Sequence, residues 1–365
     1  MKTTRAAVQT DDRTIEMQEF DVPSDVGSEE ALLKVEASGM CGSDWEQYQG
    51  EFEETGLANY PCIPGHEPIG RIEEIGTEAE RKWGVAAGDR VAVEPFAPCG
   101  VCSFCTEGEY THCENRFLYA FSSCDQGSGL YGGYAGYMHL KPNTIVHPLP
   151  EDLSTQEAVL FNPLGAGFEW VHRIGGAEPG DSILILGPGQ RGLTSTIAAD
   201  TLGANEIIVT GLERDADKLA LAEEFGATAT IDVESDDPVE RVMEITDGRG
   251  VDRVVDVTPI ATQPVLDAID AVRPGGVVVL AGLKGMKAVD GFVSDKLVLD
   301  GIDVRGVMGV RSWSYRRGIE TIVDGAYPVE KINSHSFTIE DVEEALQLLG
   351  GERDETATHI TVTPE

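Results

Sequence analysis

Through the first 150 residues, apolar positions alternate with polar ones or gather in short runs. Gly, Pro and Asp punctuate them. RAAVQT (5–10), ALLKVEASG (31–39), IGRIEEIG (69–76), DRVAVEPF (89–96) and YAGYMHLKPNTIVHPLP (134–150) predict a β-rich, turn-dense region. From about Asp181 the pattern changes. SILILGPG is an apolar run ending in glycines, as expected of a buried parallel strand. LTSTIAADTLGA follows with helical spacing. EIIVTG, DADKLALAEEFGA, TATID, PVERVMEITDG, VDRVVDVT, TQPVLDAIDAVRPGG and VVVLAGL then alternate strand and helix, and GIDVRGVMG supplies a sixth strand. Six strand-like segments with helices between them predict a doubly wound α/β domain. From about Ser312 the tail offers a helix (TIEDVEEALQLL) and a last strand (THITVTP). No repeat and no low-complexity linker is visible, so the boundary near residue 163 is a compositional inference.

At 365 residues and 41% hydrophobic content, the chain is long enough for two domains with sizeable cores. No apolar run approaches a membrane span, and MKTTRAAVQT lacks the apolar stretch of a secretory signal. The expectation is a soluble cytoplasmic protein. The charge changes the picture further. Acidic residues number 64 against 27 basic ones, for a net charge of −37. Such a surface repels phosphate backbones and anionic lipid, which excludes nucleic acid and membranes as partners. Self-repulsion on this scale is relieved by salt, which suggests a halophilic host; a merely acidic mesophilic protein is the alternative.

Cys99, Cys102, Cys105 and Cys113 lie in a C-x2-C-x2-C-x7-C spacing, while the rest of the chain holds three cysteines. Four thiolates on a short loop can close a tetrahedron around one Zn2+, and a cytoplasmic setting disfavours disulfides. A closed four-thiolate site has no open position, so it is structural; iron in the same cage, or an unmetallated loop, are the alternatives. Tyr110 and His112 inside the loop read as packing and as a solvated side chain.

Cys41, His66 and Glu67 are uninformative singly. Together they fit a catalytic metal site of about three protein ligands and one open position. Asp44 is placed to accept from the imidazole of His66, or else to cap a helix or turn. In LILGPGQRG, Gly187, Gly189 and Gly192 form G-x-G-x-x-G between a strand and a helix, where pyrophosphate can lie against the helix N-terminus. The second strand ends at Gly211, without the acid that binds the ribose of NAD, and Arg214 follows. That favours NADP, with Arg214 on its phosphate, although Glu213 argues for NAD and Arg214 could instead pair with Asp215 or Asp217.

C-G-S-D, then G-H-E-x-x-G, then the four-cysteine spacing, then G-x-G-x-x-G resembles the zinc-containing medium-chain dehydrogenase/reductase family, which includes alcohol, sorbitol, threonine and archaeal glucose dehydrogenases. The resemblance runs over nearly the whole chain. It implies an α/β protein: a GroES-like, β-rich catalytic domain (1–163 and 304–365) with a structural zinc lobe at about 96–116, and an inserted Rossmann domain (164–303). It also implies catalytic zinc on Cys41 and His66, with Glu67 as a ligand that binds or moves on and off the metal. Ser43 would hydrogen-bond the substrate alcohol and start a proton relay. The four clustered cysteines would hold structural zinc, and Ala281, Gly282, Leu283 and Arg305 with Gly306 would lie beside the nicotinamide.

Two positions depart from the family pattern. Asn162 in FNPLG stands where the family has Cys, Glu or Asp. Either Glu67 completes the metal shell, or Asn162 binds through its oxygen or holds a water; alternatively Asn162 turns the chain ahead of Pro163. Glu46 stands where a relay histidine is common, and it is either a carboxylate relay or a solvated acid.

The reading is a zinc- and NAD(P)-dependent dehydrogenase of a secondary alcohol, polyol or sugar, with NADP favoured, working as a dimer or tetramer. Trp45, next to the site, could shape a substrate pocket or simply pack. A non-catalytic nucleotide-binding protein with a decayed site, or a zinc-independent enoyl or quinone reductase of the same superfamily, are the alternatives.

Overall fold

The computed structural model describes residues 2–52 and 56–365. They form two compact units, one made of the described residues up to 162 with 319–365, the other of 163–318. The return to the first unit therefore falls at Ile319, beyond the residue 304 expected from sequence. The reason is the strand Asp303–Gly306, which pairs in register with Val277–Leu280 and so belongs to the nucleotide-type sheet.

The first unit is built on a seven-stranded sheet. Its centre is Ala31–Met40, buried at most positions, antiparallel to Glu67–Ile75 on one side and to His359–Thr363 on the other. Arg90–Val93 and Val146–Pro148 extend one flank, Asn333–Thr338 ends the other, and Tyr137–Leu140 also pairs with the central strand. Thr3–Asp11 and Thr14–Asp21 form a separate hairpin. Val8, Leu32, Met40, Tyr48 and Tyr134 pack with Val342, Leu346, Ile360 and Val362, so the C-terminal segment completes this core rather than decorating it. Register decides what comes together. Gly39 lies opposite both Glu67 and Thr361, which brings the chain just after Met40, the start of the strand at Glu67 and the start of the strand at His359 to one end of the sheet.

In the second unit, six parallel strands are ordered 3-2-1-4-5-6: Ala229–Asp232, Glu206–Gly211, Ser182–Leu186, Val251–Asp256, Val272–Leu280 and Asp303–Gly306. This is the doubly wound order, and its reversal lies beside the first strand, where dinucleotides bind in such sheets. Ser182–Leu186 is fully buried, which is why it reads as a continuous apolar run. The helix Gln190–Leu202 starts four residues after that strand and ends at Gly203, whose φ of 83° suits a left-handed stop. Among the described residues no helix is long and apolar enough to cross a membrane.

Candidate functional site

Gly42–Tyr48 is a short helix that begins where the central strand ends. Asp44 in its first turn takes the amide of Cys41 on Oδ2 at 2.9 Å. Its other oxygen, Oδ1, lies 3.3 Å from Nδ1 of His66. Both atoms are buried, and neither forms a well-aligned hydrogen bond among the described residues. Asp44 Oδ2 thus closes the capping box of this helix, and Oδ1 faces the imidazole.

With Nδ1 turned to Asp44, Nε2 of His66 faces Cys41 Sγ at 3.3 Å. Ser43 Oγ is 2.8 Å from that sulfur and 3.4 Å from that nitrogen. Cys41, Asp44 and His66 present ligand atoms within 4.8 Å of one another, all buried. A sulfur and an imidazole nitrogen on one tetrahedral zinc stand about 3.6 Å apart, close to the separation seen. Burial pushes the His66 pKa down, but Asp44 and Cys41 outweigh it and hold it well above the usual histidine value. An entering cation displaces that proton, as is general for histidine ligands. The donor set and geometry fit a zinc ion.

Glu67 is fully buried, with Oε1 3.8 Å from His66 Nε2 and Oε2 3.4 Å from His359 Nε2. His359 was not singled out in the sequence. It lies 292 positions from Glu67, and only the sheet register brings them together. Asn162 is buried and helical, the second residue of Phe161–Phe168, so it does not turn the chain; Pro163 sits in the helix's first turn, where a missing N–H costs little. Glu46 is half-buried in the Gly42–Tyr48 helix. Burial, with the nearby Glu51 and Asp44 charges, pushes its carboxyl up to about 7. It is partly withdrawn from solvent, and among the described residues no hydrogen bond joins it to Ser43. Trp45 turns to packing: its ring lies 5.6 Å from that of Tyr48 and under the Arg13 guanidinium, and a methyl group at Gly350 would strike it at 2.3 Å. The ring that stands beside His66 is Phe121, at 6.0 Å.

None of the seven cysteines forms a disulfide among the described residues. The sulfurs of Cys99, Cys102, Cys105 and Cys113 lie within 4.8 Å of one another. Cys102–Cys105 and Cys99–Cys105 separations are 3.5 and 3.9 Å, and a tetrahedral four-sulfur zinc site has edges of about 3.8 Å. Backbone amides at Val101 and Cys102 draw the Cys99 thiol down to about 6, favouring the ligand form. Tyr110 anchors the lobe by donating to Glu94 Oε2 at 2.7 Å, while Glu94 Oε1 meets His147 Nε2 at 2.8 Å; His112 is exposed.

In the second unit, Gly187, Gly189 and Gly192 form the turn into the helix Gln190–Leu202. Gly187 has φ 103°, and a methyl group at Gly192 would lie 1.9 Å from the Gly187 carbonyl oxygen, whereas none would be met at Gly189. The turn is therefore tight where it must be and open at the helix N-cap, the shape that admits a pyrophosphate. Gly211 ends the second strand against this turn, and a Cβ there would lie 2.9 Å from Pro188 and 3.1 Å from Leu219. Packing alone accounts for the glycine, so its lack of a carboxylate carries less information about the nucleotide than its sequence position suggests. Arg214 is exposed and has no hydrogen-bond or ion-pair partner among the described residues; Lys218 takes Asp215. Glu213 is exposed beside it, its amide held by Glu234 at 2.9 Å. Ala281, Gly282 and Leu283 leave the fifth strand, with the first two amides donating to the Asp256 carbonyl at 2.9 and 3.0 Å. Arg305 departs from expectation. It lies within the sixth strand and its guanidinium is occupied by the Ile174 carbonyl at 2.7 Å and by Asp303 at 2.8 Å.

Comparison with known proteins places these features in context. Residues 27–151 match the family model of the alcohol dehydrogenase GroES-like domain, and residues 192–324 that of zinc-binding dehydrogenases. A Mycobacterium tuberculosis protein named "Probable alcohol dehydrogenase adh" is 43% identical over 355 residues, covering 96% of this chain and 95% of that one. The sorbitol dehydrogenase of Bacillus subtilis is 32% identical over 94% of this chain and 92% of its own. Among solved structures, an alcohol dehydrogenase from Thermotoga maritima superposes with a TM-score of 0.88 at 25% identity, over 100% of both chains.

Proposed function

This chain belongs to the zinc-type medium-chain dehydrogenase/reductase family, and we propose that it oxidises a secondary alcohol or polyol to the carbonyl compound with a nicotinamide dinucleotide as hydride acceptor. The observation that carries the reading is the buried meeting of Cys41 Sγ, His66 Nε2 and Ser43 Oγ, all within 3.4 Å. Zinc, when bound, supplies Lewis acidity toward the substrate hydroxyl, and the nicotinamide supplies the acceptor for the hydride. Cys41 and His66 hold the metal, Asp44 fixes the imidazole, and Glu67 or Asn162 completes the set. Ser43 is half-buried, so its hydroxyl can take the substrate proton on one side and hand it on toward solvent on the other. The four cysteines from Cys99 to Cys113 hold a second, structural zinc.

Gly187, Gly189 and Gly192 receive the pyrophosphate, with Ala281–Leu283 toward the nicotinamide. The exposed and unpaired Arg214 supports NADP over NAD, against the pull of Glu213 and Glu234. A cytoplasmic setting is proposed by analogy with the family, and the net charge of −37 supports a saline one. A dimer or tetramer is proposed by analogy with the family. The test is a panel of simple secondary alcohols, polyols and sugars assayed with each dinucleotide, in high salt, on protein of measured zinc content. Dinucleotide reduction by at least one alcohol is expected. A zinc-replete protein that binds dinucleotide yet turns over none of the panel counts against it.

A further inference from the structure

We infer that His359 is a positioning residue that holds Glu67 toward the proposed catalytic metal, an inference that rests on the metal reading of Cys41 and His66. Glu67 and His359 open the two strands that flank Ala31–Met40, and both are fully buried. His359 Nε2 lies 3.4 Å from Glu67 Oε2. On its other side, His359 Nδ1 meets Asn333 Oδ1 at 3.1 Å, and that same oxygen accepts from Thr361 Oγ1 at 2.8 Å. Asn333 thus sets the ring plane, and a proton on Nε2 lets the ring tether one oxygen of Glu67. The other oxygen is left at 3.8 Å from His66 Nε2, on the metal side.

The space for this contact is reserved in the strand between them. A methyl group on Gly39 would lie 2.2 Å from Glu67 Oε2 and 2.7 Å from His359 Nε2, so any larger residue there forces the pair apart. Groups that hold a metal ligand from behind orient it, and typically change metal affinity about 10–100-fold when removed. The chain Thr361–Asn333–His359–Glu67 therefore acts on retention of the catalytic ion, with no direct role in binding substrate.

Zinc release from the purified, zinc-loaded chain to a colorimetric chelator tests this. The wild type is expected to release its two zinc ions in separate phases. His359→Ala should speed one phase about tenfold or more and leave the other unchanged. His359→Gln, whose side-chain amide can still donate to Glu67, should recover most of the loss. The double variant Glu67→Gln/His359→Ala should release zinc no faster than Glu67→Gln alone. If His359→Ala does not fold, Thr361→Val carries the test, with a smaller acceleration of the same phase expected. Two zinc ions with unchanged release in the variants, or equal acceleration of both phases, overturn this inference alone. A wild-type chain holding only the four-cysteine zinc overturns the metal-centre reading and this inference with it.

Discussion

Asp44 divides its carboxylate between two partners, the amide of Cys41 at 2.9 Å and the imidazole of His66 at 3.3 Å. The two contacts can be separated by substitution. In Asp44→Asn the side-chain oxygen can still accept from Cys41, but the charge facing His66 is gone. That variant should melt near the wild-type temperature while kcat falls about 10–100-fold, the usual cost of removing a histidine ligand's partner. Asp44→Ala loses the hydrogen bond to the Cys41 amide as well and should be about 1 kcal/mol less stable. Thermal melts and steady-state kinetics on both variants check this; equal kcat in Asp44→Asn and wild type contradicts it.

Glu46 gives a pH-dependent prediction. Burial and the charges of Glu51 and Asp44 raise its pKa to about 7 in the folded chain, from an ordinary value of 4.5. Folding therefore favours its protonated form. The stability that form contributes is fully present below pH 4.5 and is lost as pH rises through about 7. In Glu46→Gln the group cannot ionise. The melting temperature of the variant relative to wild type should rise between pH 5 and pH 8, and a difference that stays flat over that range contradicts the assignment.

For the dinucleotide, Arg214→Ala should raise the KM for NADP about tenfold or more and leave that for NAD nearly unchanged, since only the 2′-phosphate engages the guanidinium. Glu213→Gln should do the reverse of harm, lowering the KM for NADP by removing a neighbouring charge. Loss of NAD use in Glu213→Gln with no effect from Arg214→Ala would assign the ribose to Glu213. Gly211→Asp is a poor probe, because the Cβ it adds would lie 2.9 Å from Pro188.

With 64 acidic side chains against 27 basic ones, repulsion between surface charges opposes folding until counterions screen it. The melting temperature should climb steadily from 0.1 M to multimolar KCl, as screening lengths shrink from about 10 Å to below about 3 Å. A melting temperature that does not respond to KCl removes the halophilic reading.

What could be read from sequence was whatever local spacing specifies. The four cysteines, Cys41 with Ser43 and Asp44, and the glycines at 187–192 each lie within a short stretch of chain, so local spacing alone brings each group together. His359 could not be read, because its meeting with Glu67 depends on the register of three strands. Trp45 is ambiguous in sequence, and Gly211 reads there only as a missing acid, for a related reason. Nothing near Trp45 in sequence announces Gly350 or Arg13, and nothing near Gly211 announces Pro188 and Leu219 as its packing partners. Arg305 looked available because its strand partners, and the Ile174 carbonyl that occupies it, are far along the chain. For Asn162, sequence offers a turn beside a place at the metal because Pro follows it, whereas a proline in the first turn of a helix is tolerated.

Zinc stoichiometry by elemental analysis, on wild type and on Cys41→Ser, tests the central claim most directly. Two zinc ions per chain are expected in the wild type and one in the variant, with the variant still folded and alcohol-dependent reduction of the dinucleotide abolished. One zinc per chain in both proteins, at equal occupancy, would contradict a metal centre on Cys41 and His66.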